Sequence, residues 1–153
     1  MPSLFLSSLA AGLLFVSGLG SAPPTTSAAI VAHPSTSVAR LSVQDLRRIY
    51  TGEARTFQDV CIQRRLADGF FEAVTGQSAR AVGRRWVRLL LSGRVAEGPI
   101  SHRTDAETLA HVRAHPGAIG FVSPASLTAG AGVTRIPIRG DGADANGFVV
   151  LGP

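Results

Sequence analysis

The sequence predicts an α/β chain: a mixed sheet flanked by helices in a single lobe. Three observations carry that expectation. Short apolar runs at Ala29–Ala32 and Ala118–Val122 have the length and bounding residues of buried strands, with Pro34 closing the first and Gly117 opening the second. Between them lie stretches with apolar residues at helical spacing, and strands separated by helices indicate layered α/β architecture. Finally, 153 residues suffice for one domain with a real core and fall short of two of ordinary size.

Residues 1–22 carry no charged side chain, and Leu4 to Leu19 is apolar apart from Ser and Gly. Gly20 and Ala22 stand before Pro23 as the small residues a signal peptidase accepts, although no Lys or Arg precedes the apolar core. The expectation is a secretory signal and a periplasmic or secreted protein. The run is shorter than the roughly 20 residues that span a bilayer, so no permanent membrane span is expected. Residues 23–29 read as a Pro, Thr and Ser linker, 30–139 as the α/β domain, and 140–153 as a Gly- and Asp-rich tail whose Phe148 to Leu151 can dock back.

Within the domain, Ser42 is placed to cap a helix through Val43, Leu46, Ile49 and Tyr50, with Asp45 near its positive end and Gly52 closing it. Thr56 to Ile62 reads as a strand. A helix follows from about Leu66 to Val74, closed by Gly76, and another from Ser78 through Val82, Trp86, Leu89 and Leu90 to Ser92 and Gly93. Trp86 reads as a core anchor. Thr104 and Glu107 form a T-x-x-E capping box ahead of a helix ending at His115, Pro116 and Gly117. Val133 to Ile138 reads as an edge strand, because Pro137 cannot donate to a central ladder.

The basic residues are 15 arginines against 10 carboxylates, a formal charge of +5. Arginine neutralises phosphates, but here the charge is spread along the chain without a binding motif, and no nucleic-acid partner is expected. Arg80, Arg84 and Arg88 recur every four residues with Arg85 beside them. They suit either an acidic partner or a solvated face paired with Glu53 or Glu72. Cys61 stands alone, which excludes an intrachain disulfide; it reads as a small buried strand residue, with a reactive thiol near Arg64 and Arg65 as the alternative. The histidines show no metal-ligand spacing apart from His111 and His115 at i and i+4, and His115 is better placed to meet the free carbonyls of a helix end. No cofactor is implied. No nucleophile, acid and base set can be assembled, so an enzyme is not expected.

Four stretches in order, Val31 to Pro34, LSVQDLRRIYTG at Leu41 to Gly52, RRWVRLLLSG at Arg84 to Gly93 and HPGAIGFV at His115 to Val122, together resemble the phosphate-binding type of periplasmic solute-binding proteins of ABC transporters. The resemblance implies a shortened, single periplasmic-binding-protein-like lobe, a small oxoanion such as phosphate as ligand, and another chain or a second copy to complete the clamp. It places the anion loop at Gln63 to Gly76. There Arg64 and Arg65 supply charge and Gly69 close backbone approach, while Asp68 departs from the pattern and the family's Ser and Thr are missing. Ser35, after the first strand, is a further ligand candidate and otherwise a turn residue. The runner-up is a ligand-free envelope accessory protein using the Arg80, Arg84 and Arg88 face.

Overall fold

The computed structural model describes residues 26–128 and 131–152; the expected signal segment lies outside them. In chain order the elements are β1 (Ser27–Ala32), β2 (Leu41–Ser42), α1 (Val43–Tyr50), β3 (Asp59–Gln63), α2 (Ala67–Thr75), α3 (Ala79–Leu91), β4 (Ile100–His102), α4 (Asp105–Ala114), β5 (Ala118–Val122), β6 (Thr134–Ile136), β7 (Ile138–Arg139) and β8 (Val149–Val150). The main sheet runs β4-β3-β5-β1-β6, with β8 also on β1. Strand β3 is parallel to β4 and β5, whereas β1 is antiparallel to β5, β6 and β8. The sheet is mixed, as expected.

Strand β1 is buried from Ala28 to Ala32 because helices cover both faces. On one face Ile30, Phe121 and Val60 pack with α1, α2 and α3. On the other, Val31, Cys61 and Val122 pack under Val112 of α4. Gly120 permits the close approach of α4, since a Cβ there would stand 2.8 Å from Thr108 Cγ2.

Tyr50 organises the first face. Its ring meets Phe70, Phe71 and Phe121 edge-on, and Phe70 stacks on Phe121 at 3.8 Å. The Tyr50 hydroxyl donates to the Cys61 carbonyl at 3.2 Å, and Trp86 Nε1 donates to the Tyr50 carbonyl at 2.8 Å. Burial of a polar group is tolerable when it is bonded in this way.

Helix starts follow the sequence closely. Ser42 and Asp45 form a reciprocal capping box, Ser78 caps α3, and Thr104 accepts from the Glu107 N–H. Glu107 reaches back to the N–H of Arg103, one residue before the cap. Gly52 and Gly76 take the left-handed conformations that close α1 and α2.

Several expectations need correction. The strand expected at Thr56 to Ile62 begins at Asp59, because the N–H groups of Gln58 and Asp59 are both drawn to the Gly117 carbonyl and Phe57 enters the core from a bend. The linker expected to end at Ala29 gives way to strand at Ser27, where Ser27 and Ala28 pair with Val150 and Val149. Leu90 points away from the sheet and packs over Gly98, leaving Val82 and Trp86 as the buried face of α3. The stretch Val133 to Ile138 is broken at Pro137: β6 is an edge strand on β1, while β7 crosses to pair with β2. Strand β4 was not foreseen.

Trp86→Ala empties a core position and strips the Tyr50 carbonyl of its donor. Chemical denaturation should show a loss of about 3–5 kcal/mol; a loss under ~1 kcal/mol would mean that α3 contributes little to the core.

Candidate functional site

In open α/β sheets ligands bind beyond the carboxyl ends of the parallel strands. Here those ends are Gln63, His102 and Val122. Gln63 is buried and occupied: its Oε1 accepts the N–H groups of Arg65 and Leu66 at 2.6 and 3.1 Å, and its Nε2 donates to Asp105 Oδ1 at 2.7 Å. The other Asp105 oxygen accepts from the Ser126 hydroxyl and the Ser123 N–H. Burial raises the Asp105 pKa, but the bonds from Ser126, Gln63 and Ser123 outweigh it and leave the carboxyl below its ordinary value. Gln63 and Asp105 were missed from the sequence, although each had a signal: Gln63 is the polar end of an apolar strand, and Asp105 opens a capped helix.

Directly after Gln63 come Arg64 and Arg65, both exposed, and then α2. Leu66 at its N-cap has no side chain that can accept, in contrast to Ser42, Ser78 and Thr104 on the other α-helices described. The first helical bond runs from Phe70 N–H to the Leu66 carbonyl, so the N–H groups of Ala67, Asp68 and Gly69 point out of the helix end with no acceptor among the described residues. Gly69 thus lies inside the first turn. A Cβ there would sit 3.5 Å from Leu151 Cβ, an ordinary contact, so neither packing nor backbone conformation requires glycine at this position.

The remaining candidates are apart from these. Ser35 follows the carboxyl end of β1, which is antiparallel to β5; that end lies beside Ala118, level with the amino end of β3 and so at the opposite end of the strands from Arg64. Its hydroxyl and N–H both meet His33 Nδ1, at 2.7 and 3.1 Å, the bonding of a turn residue. Arg80, Arg84 and Arg88 form an exposed stripe on α3. Glu53, considered as a partner for that stripe, instead pairs with Arg85 at 3.3 Å, whose Nε also donates to the Thr51 carbonyl at 2.8 Å.

Beneath α4 the fold assembles a second group. Asp59 Oδ2 lies 2.9 Å from His111 Nε2. Donor atoms of Cys61, His102 and His111 all lie within 4.8 Å of one another. Burial, with a smaller push from the Asp59 carboxylate, raises the Cys61 thiol to about 12, which makes it inert as a free nucleophile. Burial, helped by His111 and opposed by Glu107, lowers the His102 pKa. His115 Nδ1 donates to the His111 carbonyl at 2.8 Å, the helix-end role expected of it. A groove of about 270 Å³ between Phe57, Trp86, Val95 and Pro99 lies at the amino end of β3, on the aromatic-core face of the sheet and not on the Cys61 face.

A carboxyl held below its ordinary value of 3.8 stabilises the fold above that pH and loses the contribution as pH falls through the lowered value. Asp105→Asn places an amide against the Gln63 amide and leaves one donor unpaired. Acid titration of unfolding should show a weaker dependence below the ordinary carboxylate value, and denaturation near neutrality a loss of about 1–3 kcal/mol. Unchanged acid behaviour would remove Asp105 from this role.

No protein-family model matches the chain, and no curated protein matches it with significance. Among solved structures it is similar to a Clostridium perfringens protein proposed as a phosphate ABC transporter substrate-binding protein and solved with phosphate bound, at TM-score 0.56 and 15% identity over 74% of this chain. It is also similar to a Planctomyces limnophilus protein proposed to bind phosphate, at TM-score 0.53 and 15% identity over 84% of this chain. The chain spans less than half the length of each, 45% and 46%. Its mixed sheet flanked by helices matches the fold of these two solved structures over that part of their length.

Proposed function

We propose that this chain is an exported, non-enzymatic module of the solute-binding type, which holds a small oxoanion such as phosphate at the first turn of α2. The observation that carries the reading is the uncapped helix start: the N–H groups of Ala67, Asp68 and Gly69 emerge beside Arg64 and Arg65 at the carboxyl end of β3. Outward-facing N–H groups and the positive end of the helix attract anions, and arginine adds charge-assisted bonds. Asp68 in the same turn opposes them, so binding on this lobe alone is weak. A second wall from another chain or a second copy supplies the remaining donors, because a ligand covered on one face keeps much of its hydration. Ser35, at the opposite end of the strands, takes no part.

Calorimetric titration with phosphate and sulfate tests the reading. The full chain should give saturable heat in the millimolar range, and Arg64→Ala with Arg65→Ala should weaken it at least tenfold, since a hydrogen bond to a charged group contributes about 1.5–3 kcal/mol. Absence of heat at millimolar ligand would refute it.

A second reading rests on α3. Arg80, Arg84 and Arg88 make no ion pair among the described residues, and Val87 and Leu91 beside them are 53% and 84% exposed. A basic face with apolar neighbours suits an acidic envelope protein. Affinity capture from periplasmic extract should lose its partner when Arg80, Arg84 and Arg88 are replaced by Ala; matching profiles would count against it.

A further inference from the structure

We propose that Cys61, His102 and His111 form a binding site for one borderline transition-metal ion of the zinc type, held between β3, β4 and α4. The site is independent of the oxoanion reading. It brings together donors from three elements: Cys61 on the face of β3 beneath α4, His102 at the end of the neighbouring strand β4, and His111 on α4 itself. Their ligand atoms lie within 4.8 Å of one another. In a tetrahedral zinc site, bond lengths near 2.0 Å to nitrogen and 2.3 Å to sulfur put such atoms roughly 3.5 Å apart, so closure takes movements of about 1 Å.

A second observation points to the same place. His102 Nε2 is buried and has no hydrogen-bond partner among the described residues. An orphaned buried ring nitrogen is unfavourable, and native proteins rarely leave one. A metal ion satisfies it directly. The Asp59 carboxylate on His111 Nε2 adds the kind of partner that orients metal-bound histidines or completes the ligand set. The neighbouring set of Asp59, His111 and His115 is weaker, because His115 is exposed and its Nδ1 already serves the His111 carbonyl.

The donor types decide the metal class. A thiolate with two imidazoles favours zinc, cobalt or copper, while magnesium and calcium require oxygen ligands. Binding releases the thiol proton to solvent and forms the metal–sulfur bond without redox chemistry. In a chain without a disulfide, such an ion ties the edge strand β4 to the helix above it.

Cobalt(II) titration of the full chain tests the proposal. A thiolate-to-cobalt charge-transfer band should grow to one equivalent, be displaced by zinc and ignored by magnesium and calcium, and vanish in Cys61→Ser. Because His102 Nε2 has no partner among the described residues, His102→Gln should keep the metal-free melting temperature near that of the parent while weakening cobalt binding at least about tenfold. Absence of the band in the parent, or parental affinity in His102→Gln, would overturn it.

Discussion

Asp59, Cys61 and Gln63 leave β3 on the same side, and α4 lies over all three. Period-two alternation allows no other arrangement once Val60 is committed to the aromatic core around Tyr50. In that low-dielectric layer each polar side chain needs a partner. Asp59 takes His111, Gln63 takes Asp105 and the turn after itself, and Cys61, whose carbonyl is already held by Tyr50, needs none. Among the described residues one buried side-chain polar atom is left over, Nε2 of His102, where β4 closes the edge. The chemistry of the molecule thus concentrates along a single strand and the helix above it.

The same strand separates the two candidate sites. Gln63 satisfies the N–H groups of Arg65 and Leu66, so the first N–H groups still free are those of α2 itself. Around that opening stand the exposed Arg64, Arg65 and Asp68, with Asp105 bonded to Gln63. The balance of charge there is close to even, which differs from a self-sufficient anion trap. In the proposed reading the lobe supplies backbone donors and orientation, and a second wall supplies the excess of positive charge.

What the sequence made legible was local. Ser42, Ser78 and Thr104 announced their helices because a cap is a contact between residues three apart, and the apolar run AIGFV gave β5 its bounds. Cys61 and Trp86 were readable as core residues because their neighbours fix the buried face. Pairings across the chain were not readable. Nothing in Ser27 or Ala28 shows that Val150 and Val149 complete their strand, and β4 is too short to display a period. The Gln63–Asp105 bond joins positions 42 apart, and the Cys61, His102 and His111 group has no motif spacing because its members come from three elements. Arg64 and Arg65 follow the carboxyl end of β3, whereas Ser35, named with them as a ligand candidate, lies at the other end of the strands because β1 runs antiparallel to β5.

Charge tells a similar story at finer grain. Pooled, the arginines amount to an unfocused surplus, consistent with the absence of any nucleic-acid motif. Singly, they differ in kind. Arg85 is half-buried, closes the carbonyl end of α1 through Thr51 and pairs with Glu53, so it joins α3 to α1 and its charge is spent within the fold. Arg80, Arg84 and Arg88, on the same helix, turn to solvent and make no ion pair among the described residues. A rotation of 100° per residue is enough to divide a structural cation from three available ones. The α3 surface is therefore best judged by those three residues and the exposed Val87 and Leu91 beside them, and not by the net charge of the chain.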